Sequence, residues 1–349
     1  MNTPLQILVI RRDNIGDLIC TTPLLHGLRR KYPAARISVL ASSYNVDVLD
    51  GNPDVDETLV FLKKNQKSHG YGRLGMLWNR WRLLRMIRKR RFDHIILANG
   101  GWRYAHTLGG KQLLGFREPG EPDHRQPDVL APDHNGFEEH EVSKMARLGS
   151  ILGVEEALGP LRLFPNDLLV FQKRQMLIAL GWNSERPTIA FHISARKAER
   201  RWNNRSFVEL AKHLITDYSV QILLFWSPGE KNCPTHPGDD EDASQILKSL
   251  SGLPIFPCPS ETIRSLIAGI SLADQIVCSD GGGAHVAAAL QKPVLCFYGP
   301  SEMVMWHPWG VPYVHLQKPS LQVSDITVEE ALSAFDELQG KIDSGLSPI

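Results

Sequence analysis

Short runs of consecutive apolar residues alternate along this chain with longer stretches in which apolar positions recur every three or four residues. The runs Ile7–Ile10, Arg36–Ala41, Thr58–Phe61 and His94–Ala98 read as strands. Between them the spacing predicts a helix from about Gly16 to Lys31, a helical stretch near Val46–Leu49, and a helix within the segment Lys63–Arg91. The region Arg117–Asn135 lacks periodicity and reads as a long loop, followed by a helix over about Glu138–Leu152. Gly153–Asp167, with Gly159-Pro160 and Pro165, reads as a linker.

The second half repeats the alternation. Strands are expected at Thr188–Ile193, Val220–Trp226, Ile255–Phe256, Gln275–Ser279 and Pro293–Tyr298. Helices are expected at Asp167–Gly181, Ser206–Ile215, Asp240–Leu250, Glu261–Ala268, Ala284–Leu290 and Val328–Leu338. Strands too apolar to have a wet face, separated by helices, imply parallel sheets covered on both sides. The expected class is therefore α/β, with two Rossmann-like domains whose parallel sheets face a central cleft where a ligand binds. The boundaries are placed at 1–160, 161–325 and a terminal helix in 326–349.

Composition narrows the class. At 349 residues, 42% hydrophobic and 22% charged, the chain has the make-up of a soluble globular protein rather than a disordered or collagen-like one. No run approaches the roughly 18–20 apolar residues of a membrane span. The apolar start, Leu5–Ile10, runs straight into Arg11-Arg12 and reads as a strand, not a signal peptide. Five scattered cysteines without a C-x-x-C pair point to reduced thiols in a cytoplasmic protein and against a disulfide or zinc framework.

Charge is unevenly placed. Eleven basic residues lie between Lys63 and Arg91 with no Asp or Glu among them. Subtracting them from a net charge of +1 leaves −10 on the rest of the chain. Leu74, Leu77, Trp78, Trp81, Leu84 and Ile87 recur among them, so the segment reads as a basic amphipathic helix with a tryptophan-bearing face. It is either an ordinary sheet-covering helix or a docking surface for anionic headgroups or an anionic acceptor, with Lys63, Lys64, Arg80, Arg85 and Arg88 as its candidate contacts. Nucleic acid is not an expected partner, since the basic block is confined and no nucleic-acid-binding motif accompanies it.

Three loops carry candidate chemistry. The first strand leads into Arg11-Arg12-Asp13-Asn14-Ile15-Gly16-Asp17, which has one glycine where a dinucleotide fingerprint needs three. Gly16 permits close backbone approach, and Asp17, in the first helical turn, is either a capping acid or a general base. Ser279-Asp280-Gly281-Gly282-Gly283-Ala284-His285 joins a strand to a helix; its bare N–H groups suit a diphosphate. Asp280 there can accept from a sugar hydroxyl or cap the helix, and His285 can donate to phosphate or merely pack. The loop from His192 to Trp202 offers Ser194, Lys197, Arg200 and Arg201 to a leaving diphosphate, and Glu230 follows another strand on the same side. Asp240-Glu241-Asp242 matches D-x-D but sits at a helix start, where capping is the expected role. No metal-ligand spacing is present and no cofactor is expected.

These pieces, in this order, resemble the ADP-heptose:lipopolysaccharide heptosyltransferases, glycosyltransferase family 9. The similar stretches are ILVIRRDNIGDLICTTPLLHGLRRKYP, FHISARKAERRWNNRSFVELAKHL and, most specifically, VCSDGGGAHVAAALQKPVLCFYGPS. The resemblance implies a GT-B fold with a terminal helix that packs back on the first domain. It implies an inverting, metal-independent transfer of heptose from ADP-heptose to an anionic glycolipid acceptor, at the cytoplasmic face of the inner membrane. On that basis Asp17 is the base, Arg200 stands near the family's phosphate-binding lysine, Glu230 near a ribose-binding glutamate, and Asp280, Gly281, Gly282 and His285 match the donor loop. The chain departs from the family at Gly281, where many members carry Thr or Ser, and at Ala195. Alternatives are another nucleotide-sugar donor, a protein acceptor, a GT-B nucleotide-sugar epimerase, or a nucleotide-sugar-binding protein without transfer activity.

Overall fold

A computed structural model describes residues 4–63, 72–134, 138–154, 159–231 and 238–345. The chain divides into two compact units, Met1–Arg162 and Leu163–Ile349.

The first unit runs β1 (Gln6–Arg11), α1 (Ile15–Cys20), α2 (Thr22–Lys31), β2 (Arg36–Ser42), β3 (Glu57–Phe61), α3 (Arg73–Arg90), β4 (His94–Leu97), α4 (Trp102–His106), β5 (Gln112–Gly115), β6 (Val129–Leu130) and α5 (Glu141–Ser150). Its six strands are parallel in the order β3-β2-β1-β4-β5-β6. β1 is central and buried from Ile7 to Arg11, as its unbroken apolar run requires. The order reverses direction between β1 and β4, the place where a doubly wound sheet opens a crevice at its carboxyl edge.

Three expectations change here. The helix expected over Gly16–Lys31 is two helices, because Pro23 has no N–H to continue the α1 ladder; the hydroxyl of Thr22 donates instead to the Ile19 carbonyl, 2.7 Å away. The stretch Val46–Leu49 is a single 3₁₀ turn. The region expected as loop after Arg117 contains the two-residue edge strand β6. The helix α3 spans 73–90 and ends where Arg91 takes a left-handed conformation, φ 52°. Lys64 and Lys67 lie outside the described residues.

The second unit runs α6 (Asp167–Ala179), β7 (Thr188–His192), α7 (Asn204–Tyr218), β8 (Gln221–Trp226), α8 (Asp240–Ser249), β9 (Ile255–Pro259), α9 (Ile263–Ile270), β10 (Gln275–Ser279), α10 (Gly282–Ala289), β11 (Val294–Tyr298), α11 (Met303–Trp306), β12 (Tyr313–Gln317) and α12 (Val328–Asp343). Its parallel order is β12-β11-β10-β7-β8-β9, the same Rossmann-like winding, with the reversal between β7 and β10. β9 carries Pro257 and Pro259 and lies at the sheet edge, where a missing N–H does least harm. Trp202, Phe207, Phe297 and Phe335 join one core with the strand residues Phe191 and Leu224. The terminal helix α12 lies on β11, β12 and α7 of this unit. Its Val328, Ala331, Phe335 and Leu338 are buried in that core. No described helix is long and apolar enough to cross a membrane.

Candidate active site

In the first unit the chemistry gathers where β1 ends. Arg11, the last residue of that strand, is 2% exposed. One guanidinium nitrogen donates to the Ala98 carbonyl beyond β4. The other donates to Asp17 Oδ1 at 2.9 Å and to Glu141 Oε1 at 2.7 Å, while Nε lies 3.0 Å from Asp13 Oδ1. Burial opposes the charge on Arg11, and Asp13, Glu141 and Asp17 more than offset it. Burial raises the Asp13 carboxyl to about 6; Arg11 pulls it down, and Asp17 and Glu141 push it up.

Asp17 is held from both sides. Its Oδ2 accepts the Asn14 N–H at 3.2 Å, so it caps α1 while pairing with Arg11. Gly16 beside it is buried. Next to this turn stands a cationic cluster. Arg12 lies 4.7 Å from the Phe61 ring centroid and 4.3 Å from that of Tyr104, and Arg80 lies 4.8 Å from Phe61. Lys63 Nζ donates to the Asp13 carbonyl at 2.7 Å. Burial, with Arg80 nearby, lowers the proton affinity of Arg12.

The basic residues expected to form one surface therefore part company. Lys63 and Arg80 approach the β1–α1 turn. Arg85 lies over Trp81 on the exposed side of α3, and Arg88 Nε donates to the Thr107 carbonyl at 2.7 Å.

In the second unit, the loops leaving β7 and β10 come together. Asp280, 7% exposed, accepts from Arg200 at 2.9 Å and from the Ser301 hydroxyl at 2.5 Å. Arg200 Nε is buried and has no hydrogen-bond partner among the described residues. Gly281 precedes α10 in extended conformation, and a Cβ added there would meet nothing within 4 Å. The absent hydroxyl is thus not a steric necessity. Gly283 is different: a Cβ would stand 3.2 Å from His192 Nδ1. Burial lowers His192 to about 4, so it packs there as the neutral imidazole. His285 is buried, with its ring edge-on to Trp306 at 5.9 Å.

Ser194 and Arg201 are engaged elsewhere. Ser194 donates to Asp239 at 2.5 Å and accepts the Ser227 N–H at 2.8 Å. Arg201 pairs with Asp239 and lies 3.7 Å from Asp242. Lys197 and Glu230 are exposed. In the D-x-D stretch, Asp240 accepts from Trp226 Nε1 at 2.7 Å and the Gly229 N–H at 2.9 Å, and Asp242 accepts from Asn204 at 2.8 Å. These carboxylates tie the loop after β8 to α7 and α8, where the sequence suggested helix capping.

The profile of glycosyltransferase family 9 (heptosyltransferase) matches residues 80–331. The chain belongs to glycosyltransferase family 9. It is a glycosyltransferase with the GT-B fold, and the family match takes in the loops after β7 and β10 but not the β1–α1 turn. Lipopolysaccharide heptosyltransferase 2 of Salmonella typhimurium is 27% identical over 317 residues, covering 85% of this chain and 83% of that protein. A family 9 glycosyl transferase from Veillonella parvula superposes with a TM-score of 0.79 at 18% identity, covering 97% of each chain. The E. coli ADP-heptose lps heptosyltransferase II superposes with a TM-score of 0.74 at 24% identity, covering 97% of this chain and 100% of that one.

Within this glycosyltransferase, sequence reasoning missed Glu141, Asp239 and Ser301, and read Arg11 only as part of a turn. Glu141 carried a signal: an acid on the buried side of an apolar helix needs a cation. Asp239 and Ser301 had none, since their partners stand 45 and 21 residues away.

Proposed function

We propose that this glycosyltransferase moves heptose from ADP-heptose to an anionic lipopolysaccharide core acceptor, with inversion and without a metal. The names of its relatives support the donor and acceptor class. In this mechanism the acceptor hydroxyl attacks the anomeric carbon and passes its proton to the Asp17 carboxylate. The bond from that carbon to the diphosphate breaks, and its electron pair leaves on ADP. Arg200 and the N–H groups of Gly281, Gly282 and Gly283 receive the developing charge, with Lys197 at the rim. The first unit supplies the base and the second holds the donor. The glycolipid acceptor makes the cytoplasmic face of the inner membrane the place of action.

The observation that carries the donor reading is Arg200: anchored through Asp280, it keeps a buried Nε–H without an acceptor among the described residues, beside a glycine-lined helix start. The test is thermal stabilisation by ADP and ADP-heptose against UDP, GDP, CMP and NAD. A ligand at ~100 times Kd adds about 2.7 kcal/mol. Selective stabilisation by ADP and ADP-heptose is expected; stabilisation by UDP or GDP alone would discard heptose.

Asp17→Asn is expected to abolish transfer while donor binding persists. A second reading, with Asp13 as the base, is favoured by its raised proton affinity and greater exposure, 27% of the side chain against 13% for Asp17. Transfer surviving in Asp17→Asn and lost in Asp13→Asn would select it.

A further inference from the structure

The helix α3 is apolar on two opposite sides. Inward, Leu83 and Ile87 are buried with Leu8, Leu59 and Ile95 on the sheet. Arg90 pairs with Glu57, and Arg88 holds the Thr107 carbonyl, so the helix is already fastened by its inner side and its last turn. Outward, Leu74, Leu77, Trp78 and Trp81 fall on one face at helical spacing and are 82%, 62%, 57% and 54% exposed. Packing within the first unit does not call for them. Exposing four large apolar side chains together costs solubility, and such a patch marks an interaction surface.

The rest of that face decides its partner. Arg82 lies 5.2 Å from the Trp78 ring centroid and Arg85 5.3 Å from that of Trp81. Arg82, Arg85 and Lys89 are all exposed on the outer side. No acidic residue occurs between Lys63 and Arg91. The apolar half occupies the first two turns and the cationic half the last two, a stripe about 22 Å long at 1.5 Å per residue. Tryptophan and leucine beside arginine and lysine, on a helix too short and too charged to span, is the pattern of a helix lying in the headgroup region of an anionic bilayer.

The geometry points to the outer face of α3 as a membrane-docking surface. Leu74, Leu77, Trp78 and Trp81 enter the headgroup–acyl boundary, and Arg82, Arg85 and Lys89 meet anionic headgroups. This deepens the peripheral membrane contact proposed above and rests on it. The experiment omits donor and acceptor, so docking and transfer succeed or fail separately.

The full chain is sedimented with phosphatidylglycerol–phosphatidylethanolamine vesicles and, separately, with phosphatidylcholine vesicles. Binding to the anionic vesicles is expected, with quenching of tryptophan emission by brominated acyl chains. Each cation near an anionic surface contributes about fivefold in partitioning, so Arg82→Gln/Lys89→Gln is expected to weaken binding roughly 25-fold. Trp78→Ser/Trp81→Ser is expected to lose about tenfold or more and most of the quenching. Both variants alter exposed side chains, and unchanged thermal unfolding verifies that they fold. Absent binding to anionic vesicles, equal binding to both kinds, or undiminished binding and quenching in the tryptophan variant would overturn the proposal. So would a chain that self-associates through this face without binding vesicles, which would give the patch to a second copy.

Discussion

Replacing Arg11 by Met tests whether one buried guanidinium balances the charge of the first unit. The substitution keeps an unbranched apolar stem and removes the charge. Asp13 Oδ1, Asp17 Oδ1 and Glu141 Oε1 lie 2.7–3.0 Å from the guanidinium nitrogens, and the Glu141 side chain is 3% exposed. At an effective dielectric of about 20, each contact attracts by roughly 5–6 kcal/mol before desolvation is charged against it. Most of that is cancelled by the cost of burying the ions and by repulsion among the carboxylates. Removing the cation alone leaves buried Glu141 with only the partly exposed Lys144, 3.6 Å from its other oxygen, as counter-charge, a lesion of about 3 kcal/mol. Against a total stability of ~5–15 kcal/mol this is severe, yet short of unfolding most domains.

The damage carries a pH signature. Without Arg11, the Asp13 carboxyl loses the cation that pulls its proton affinity down, so that affinity, already above the unfolded value, rises further. Stability then falls as pH rises through that range, and the deficit against the parent protein is largest near pH 8 and smallest near pH 5. Glu141→Gln in the same chain removes the buried charge and is expected to recover about half the loss. Urea denaturation of the parent, both single variants and the double variant at the two pH values completes the cycle. A loss below about 1 kcal/mol at pH 8, or no recovery in the double variant, would refute the account of Arg11 as the charge-balancing centre.

Two further outcomes follow from single residues. Asp13, raised to about 6 from an ordinary 3.8, keeps a proton between roughly pH 4 and 6 that the unfolded chain has released. Its contribution therefore falls as pH rises across that window, and Asp13→Asn should gain about 1–3 kcal/mol on the parent between pH 4 and pH 7; parallel pH–stability curves would contradict this. At Gly299, an added Cβ would stand 3.0 Å from Arg200 Cγ and 3.1 Å from the Glu199 carbonyl. Gly299→Ala should shift that loop and weaken ADP binding about tenfold by calorimetry at little cost in stability, and unchanged affinity would detach Arg200 from the donor.

The parts legible in the sequence are those whose cause is local. β1, β2, β7, β8, β10 and β11 announce themselves because strands buried on both faces must be apolar throughout. The glycine loop before α10 was visible because strand, small residues and helix follow one another directly. The four-residue β5 and the edge strands β6 and β12 were missed, since a strand that is very short or paired on one side need show no such pattern. The outward tryptophans of α3 were legible as helical spacing but not as to side. Periodicity states that Leu74, Trp78 and Trp81 share a face; only the seating of Leu83 and Ile87 on the sheet decides which one. Least legible was the wiring of the site. Arg11 meets Glu141 across 130 residues and Ser194 meets Asp239 across 45, pairings that exist only once the sheets are wound.

That wiring separates three basic residues that look equivalent in sequence. Lys197, Arg200 and Arg201 share one loop, and any of them could be assigned to phosphate from composition. Arg201 is committed to Asp239, which is 1% exposed and also holds Ser194, so recruiting it to a ligand would strand a buried carboxylate. Lys197 is exposed, and a phosphate contact there would have to order a long, hydrated side chain. Arg200 is neither spent nor loose. Asp280 fixes one end of its guanidinium, Gly299 leaves room for its stem, and its Nε–H stays buried and unmatched among the described residues. A donor already oriented and already stripped of water loses little on meeting an anion, which is the condition under which a cation stabilises charge as it develops. The carboxylate of Asp280 therefore serves the proposed donor site less by touching sugar than by holding Arg200 ready for diphosphate.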